Sequence, residues 1–215
     1  MLLYFGGLMQ YLADSEYETY GLEAATPAAL VASASSLIDS LCRRPSLGVT
    51  QYSERVRIAP ETGRARLSYL PLCAAEGASS PLVKVRVRYG PSGFGFGGDL
   101  GTAVAQVFGL AGTWVDVDAA QCEFVATTGE LIIPAQVLGV PYIEAEVTYT
   151  AGFAVMPDGV KFACAQLVRN AQASPALNVR HSGLDRMQME YFGATLADDD
   201  VKRLLAPFVS VRCGA

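Results

Sequence analysis

Hydrophobic positions recur with two different periods along the chain, and the periods separate its two ends from its middle. Between residues 27 and 43 the apolar positions have the spacing of one helix face, namely Leu30, Ala34, Leu37, Ile38 and Leu41. We expect Thr26 to cap this helix and Pro27 to occupy its first position, where a missing N–H costs nothing. Arg43 and Arg44 should complement the negative C-terminal end, and Pro45 should stop the helix.

The last third of the chain returns to the helical period. A helix that starts after Pro157 would bury one face, made of Val160, Ala163, Cys164, Leu167, Val168 and Ala171. Apolar Met187, Met189 and Tyr191 alternate with polar Gln188 and Glu190, which predicts a short strand at 187–192. A final helix should begin at the acidic run 198–200 and end near Ala206, because Pro207 disfavours helical geometry in the residue before it.

The middle of the chain has the period of two that is typical of strands. Short runs rich in Val, Ile, Thr and Tyr are separated by Gly, Pro and Ser, at residues 51–58, 65–70, 82–89, 113–117, 122–126, 130–133 and 142–150. In one run Val83, Val85 and Val87 alternate with Lys84, Arg86 and Arg88, and in another Ile143, Ala145 and Val147 alternate with Glu144 and Glu146. This pattern predicts antiparallel strands with one buried and one solvated face.

Helices at both ends and strands between them indicate the α+β class. The terminal helices must pack together, so the fold is a small helical bundle with an inserted antiparallel β domain. The predicted organisation is an N-terminal segment with the first bundle helix at 1–49, the β domain at 50–150, and the remaining helices, a strand and a tail at 151–215.

Composition limits the kinds of partner. Of 215 residues, 51% are hydrophobic and only 17% are charged, which is apolar for a soluble monomer and favours extensive contact between subunits. The net charge of −5 argues against a protein that grips DNA phosphates over a wide surface. The first nine residues are apolar but too few to span a membrane, and they lack the positive start of a secretory signal. We expect them to pack on a neighbour or to cap the core, with a signal peptide as the alternative.

Few residues of the chain are candidates for metal ligands or catalytic nucleophiles. The five cysteines are scattered without a C-x-x-C pair, and the chain has one histidine, so a structural metal site is not predicted. Cys164 is expected to be a small buried hydrophobe. His181 is near Ser182 and Asp185, but closeness in sequence is not triad geometry, and an exposed loop histidine is the favoured interpretation.

Residues 93–98 satisfy the G-x-G-x-x-G pattern, and Asp118 follows 20 residues later, as in dinucleotide-binding folds. The preceding strand carries Lys and Arg at alternate positions, whereas a central parallel strand is continuously apolar. No β–α alternation follows either. The favoured interpretation is a loop that carries Phe94 and Phe96 to a partner surface, and an ordinary surface loop remains open.

Two charged patterns each allow two interpretations. Lys84, Arg86 and Arg88 form a basic stripe that could meet DNA phosphates or an acidic partner. The favoured alternative is a solvated face whose charges pair across the sheet with Glu144 and Glu146. The acidic run 198–200 could hold a cation, but capping and the helix dipole already explain acidic residues at a helix start.

Several segments together resemble the head–tail connector (adaptor, or head completion) proteins of tailed bacteriophages. These are YTAGF at 149–153, MPDGVK at 156–161, QLVRNA at 166–171, the strand at 187–192 and DDDVKRLLAPF at 198–208. Two further patches, residues 26–56 and TGELIIP at 128–134, are similar to the family's first helix and central turn. The resemblance carries no catalytic signature.

This resemblance implies a structural virion protein at the neck, assembled in the host cytoplasm, and not an enzyme. About twelve copies would form a homo-oligomeric ring under the portal protein, extend the DNA channel and dock a neck, tail or stopper protein. Genomic DNA would pass without specific binding, and no membrane, cofactor or metal is implied. The competing classes are a β-sandwich binding module and a nucleotide-binding enzyme that uses the loop at 93–98.

The resemblance also suggests a role for the C-terminal tail, because related connectors use this end against the portal. Phe208 would anchor the tail, Val209 and Val211 would add apolar contact, and Arg212 would meet an acidic group. The alternative is a tail that folds back on its own bundle.

Overall fold

The structure, a computed structural model, describes residues 10–89, 114–134, 142–173, 181–184, 187–190 and 196–210. Within these residues the chain has three α-helices and antiparallel sheets, which confirms the predicted α+β class. It divides into two compact units. One combines Met1–Leu47 with Val155–Val209 and is called the helical unit; the other combines Gly48–Ala154 with Ser210–Ala215 and is called the β unit.

The helical unit is built from segments on both sides of the main segment of the β unit. Its helices are α1 (Ala28–Leu41), α2 (Asp158–Ala173) and α3 (Asp199–Leu205), with 3₁₀ turns at Asp14–Glu16, Glu18–Tyr20 and Ala206–Phe208. The predicted face of α2 is buried except at Ala171, which is only partly covered. Helix α1 packs on α2, where Ser35 Oγ lies 3.8 Å from Cys164 Sγ. Cys164 is fully buried, as predicted.

Both ends of α1 differ from the sequence-based prediction. Pro27 takes the N-cap position, and the Thr26 side chain is buried instead of capping the helix. At the other end the helix stops at Leu41, before Pro45 is reached. Arg43 adopts a left-handed conformation with φ of 56°, and the amide of Arg44 donates to the carbonyl of Asp39 at 3.1 Å. This is a Schellman motif, in which the backbone itself satisfies the last carbonyls.

The β unit contains seven strands in two antiparallel sheets, within the described residues. The strands are β1 (Thr50–Arg57), β2 (Arg64–Arg66), β3 (Leu82–Tyr89), β4 (Trp114–Val117), β5 (Glu123–Val125), β6 (Glu130–Ile132) and β7 (Tyr142–Ala151). One sheet has the order β1-β7-β3-β4 and the other β2-β6-β5. Their buried faces share one core, which includes Val85, Leu131, Ala145, Val147 and Tyr149.

The predicted alternation along β3 fails at its start. Val85 and Val87 are buried as expected, but Val83 is 54% exposed and Leu82 is buried in its place. The cause is a register shift between Leu82 and Lys84 in the pairing with β7, which adds one residue to the β3 side. The strand predicted at 65–70 is also shorter than expected, since β2 ends at Arg66.

Two short strands follow α2 in the chain. β8 (His181–Leu184) pairs with β9 (Met187–Glu190) as an antiparallel hairpin. The strand predicted at 187–192 is therefore present at its first four residues. The prediction of a loop at His181 is wrong, because this residue begins β8 and lies opposite Glu190.

Candidate interaction surfaces

The polar face of the four-stranded sheet gathers most of the charged side chains of the β unit's longer strands. Because successive residues of a strand point to opposite faces, the residues opposite the core share this surface. We call it the polar sheet face and define it by Arg55, Arg57, Lys84, Arg86, Arg88, Trp114, Asp116, Glu144 and Glu146. Five basic and three acidic residues give it a charge of +2, whereas the whole chain has −5.

The basic stripe of β3 is paired across the sheet. Arg88 forms an ion pair with Glu144, directly opposite on β7. Arg86 contacts Glu146 at 3.9 Å and Asp116 of β4 at 3.4 Å. The expected pairing with Glu144 and Glu146 is therefore confirmed. These pairs are partly exposed, so each contributes on the order of 1 kcal/mol or less.

Trp114 lies among three guanidinium groups on the polar sheet face. The Cζ atoms of Arg88, Arg55 and Arg86 are 5.1, 5.2 and 5.8 Å from the centre of its ring. Cations at this distance from an indole are attracted to its negative face, by about 0.5–1 kcal/mol at an exposed site. The stacking on Trp114 and the ion pairs together hold this surface in one arrangement. Most of its charged groups therefore already contact a partner within the sheet.

A second surface is an open cleft between two edge strands. It has a volume of about 680 Å³ and is lined by residues 57–59, β2, Thr128 and Glu130. β1 is an edge of the four-stranded sheet and β2 an edge of the other, and a turn joins them through the amide of Ala59 and the carbonyl of Arg64 at 2.8 Å. We call this the arginine cleft, because Arg57, Arg64 and Arg66 all line it. The sequence pattern does not predict this cleft.

The acidic run at the start of α3 acts as a cap. Asp198 Oδ1 accepts from the amide of Val201 at 2.8 Å, and Asn170 donates to Asp198 Oδ2 at 3.1 Å. The amide of Val201 and then the Asn170 side chain lower the pKa of Asp198 below its usual range. Capping was the favoured interpretation, and the structure confirms it. Across the described residues, no group of three or more His, Cys, Asp or Glu side chains could hold a metal ion.

The buried titratable groups serve the two cores. In the helical unit, the Tyr11 hydroxyl bonds to Asp39 and accepts from the amide of Leu47 at 2.8 Å. Burial raises the pKa of the Tyr11 hydroxyl and that of the Asp39 carboxyl. Burial likewise raises the pKa of Cys42 and of Cys122 to about 11, so neither thiol is ionised at neutral pH. This does not favour a nucleophilic role.

The predicted partner-binding residues are only partly described. Phe208 is half-buried in the last 3₁₀ turn, and its ring lies beside Gly159 at the start of α2, so that a Cβ at Gly159 would be 3.7 Å from Cε2 of Phe208. Phe208 thus packs on its own bundle, and Val209 after it is also half-buried. Phe94, Phe96, Val211 and Arg212, the glycine-rich loop at 93–98 and the first nine residues lie outside the described residues.

A scan against protein-family models and a search of curated proteins gave no match to this chain. Among the helices that the structure describes, none is long and apolar enough to cross a membrane. The function is therefore inferred from the organisation of the two units, from the polar sheet face and from the resemblance in sequence.

Proposed function

We propose that this protein is a head–tail connector of a tailed bacteriophage, which forms a ring under the portal and docks the next neck or tail component. The observation that carries the proposal is the chain order of the two units. Two segments, Met1–Leu47 and Val155–Val209, form one helical unit, and the main segment of the β unit, Gly48–Ala154, is inserted between them. The hydrophobic pattern predicts an insertion of this kind, and the segments at 156–171 and 198–208 that resemble connector proteins lie in the helical unit.

The distribution of charge supports the same proposal. Four of the five basic residues of the polar sheet face, Lys84, Arg86, Arg88 and Arg55, contact neighbouring carboxylates or Trp114. Twelve copies at −5 each would carry roughly −60, a field that disfavours adhesion of phosphates and allows DNA to slide. A channel that conducts DNA needs this property, whereas a DNA-packing or DNA-reading protein needs the opposite.

The experiment mixes the purified protein with the portal protein encoded in the same genome. Light scattering and negative-stain electron microscopy should find small species of the protein alone and ring-sized complexes with the portal. A protein that stays monomeric at every concentration and ignores the portal would contradict the connector proposal, and would leave the β-sandwich binding module as the better candidate.

The C-terminal tail provides a sharper version of the test. Phe208 already packs on the bundle, so deletion of 209–215 removes only the seven residues after it. We expect this deletion to leave helix content unchanged and to abolish portal binding. A shorter deletion of 213–215 retains Val209, Val211 and Arg212 and serves as the matched control, which should bind. If the protein that lacks 209–215 binds the portal as well as the full chain does, the tail makes no contribution to portal binding.

A further inference from the structure

The arginine cleft carries positive charge that carboxylates of the described residues balance only in part. Of its three arginines, Arg64 is held by Glu130, with Nη1 2.7 Å from Oε1. Arg57 and Arg66 form no salt bridge with any residue that the structure describes. Three guanidinium groups against one carboxylate leave the cleft at +2 in a chain of −5. Like charges gathered in a concave site favour an anion from outside.

Protection of sheet edges explains only part of this arrangement. Charged side chains on edge strands prevent unwanted pairing with other strands, and both β1 and β2 are edges. Edge protection does not require a concave site, however. Here the three arginines line one concave site together with Ile58, Ala65 and the hydroxyl-bearing Thr128. A concave site with a small number of polar groups at its wall is typical of a binding site.

The size of the cleft and the net charge of the chain favour carboxylates of a peptide over nucleic acid. A guanidinium presents a planar fork of N–H donors that binds a carboxylate or a phosphate with two parallel hydrogen bonds, so the extent of the site decides between them. A volume of about 680 Å³ accommodates a short stretch of side chains. Affinity for DNA grows instead with the number of phosphates neutralised over a wide basic surface, and the net charge of −5 opposes it.

We propose that the arginine cleft binds an acidic peptide segment of a protein partner, with Arg57 and Arg66 each receiving one carboxylate. Arg64 is a positioning residue, because its pair with Glu130 joins β2 to β6 beside the other two guanidinium groups. The site belongs entirely to the β unit, so this inference goes beyond the connector proposal and does not depend on ring formation.

The test measures fluorescence anisotropy of a labelled short oligoaspartate peptide with the full chain. Saturable binding should weaken roughly tenfold in R57Q/R66Q, since two exposed charge-assisted contacts are lost. The control K202Q/R203Q removes the same charge from exposed positions of α3 and should change the affinity less than about twofold. Circular dichroism and Trp114 fluorescence establish that all variants are folded.

A further variant, R57K/R66K, separates fork geometry from charge. It should bind the peptide more weakly than the wild type, because lysine lacks the bidentate fork. Four results would overturn the proposal: no saturable binding, equal loss in the cleft and control variants, full binding by R57K/R66K, or displacement of the peptide by a duplex oligonucleotide at lower concentration than by free oligoaspartate. The last result would make DNA the occupant.

Discussion

Replacing Tyr149 with phenylalanine tests whether a buried polar contact holds the core of the β unit together. Tyr149 is fully buried, and its hydroxyl donates to Glu54 Oε1 at 2.6 Å. The same hydroxyl accepts from the amide of Tyr69 at 3.2 Å, and Glu54 Oε1 also accepts from the amide of Ser68 at 2.8 Å. Burial raises the pKa of Tyr149 above its usual range, so the hydroxyl keeps the proton that it donates.

Tyr149→Phe retains the ring but removes the hydrogen bond to the carboxylate. A hydrogen bond to a charged group contributes about 1.5–3 kcal/mol, and the amide of Tyr69 would lose its acceptor as well. We expect the free energy of unfolding of the β unit to fall by about 2–3 kcal/mol. Urea titration monitored by fluorescence measures this directly, because Trp114 is the only tryptophan and lies in the β unit.

The matched control is Thr148→Val, on the same strand but on the opposite face. Its hydroxyl donates to Ser53 Oγ at 3.3 Å in an exposed position, so its loss should cost less than about 0.5 kcal/mol. A double-mutant cycle with Glu54→Gln should give a coupling of at least about 1 kcal/mol. If Tyr149→Phe is as stable as the control variant, the hydroxyl contact does not stabilise the core and the reasoning fails.

Four further substitutions have defined outcomes. Asp198→Ala should cost about 1 kcal/mol by removing the cap of α3. Folding lowers the pKa of Asp198, so the cap stabilises the protein above the ordinary pKa of 3.8, and this stabilisation is lost as the pH falls from 3.8 through the lowered pKa of the folded state. Thermal melts at pH 7 and pH 3 would detect the loss. Gly152→Ala should lower the melting temperature severely, because Gly152 has a φ of 133° and a Cβ there would lie 2.2 Å from the carbonyl oxygen of Gly48. An unchanged melting temperature would show that the backbone accommodates a side chain at this position. Val85→Ala should lower the free energy of unfolding by about 2 kcal/mol and Val83→Ala by less than about 0.5 kcal/mol, because Val85 is buried and Val83 is exposed. Urea titration measures both, and similar values would refute the register shift in β3.

The parts of the fold that could be predicted from the sequence are those where many residues repeat one pattern. The strand predicted at 82–89 is observed at Leu82–Tyr89, because six alternating residues give a period that neighbouring strands reinforce. The cross-strand charges were also predictable, since arginines of β3 and glutamates of β7 alternate with the same period. Helix α2 follows its predicted face for the same reason.

The features that were missed depend on single backbone conformations or on contacts distant in sequence. Nothing local distinguishes Val83 from Val85, because the register shift arises in the pairing of β3 with β7. The left-handed residue at the end of α1 is Arg43, where glycine is the usual signal. The arginine cleft needs the turn at 59–63 to bring Arg57 beside Arg64 and Arg66, and the sequence shows them only as separate exposed charges.

The insertion of the β unit has a consequence for synthesis on the ribosome. Helix α1 emerges early, but Cys164, which meets Ser35 in the helical core, is translated 129 residues later. At roughly 5–20 residues per second, the apolar face of α1 waits for on the order of ten seconds without its partner. The β unit can close in that interval, because Gly48 and Phe153, near the two ends of its main segment, form a bridge with each other. In nascent chains stalled shortly after residue 154 has left the exit tunnel, the paired strands β1, β3 and β7 should therefore be protected from protease while α1 is still cleaved. Early protection of α1 would contradict this order.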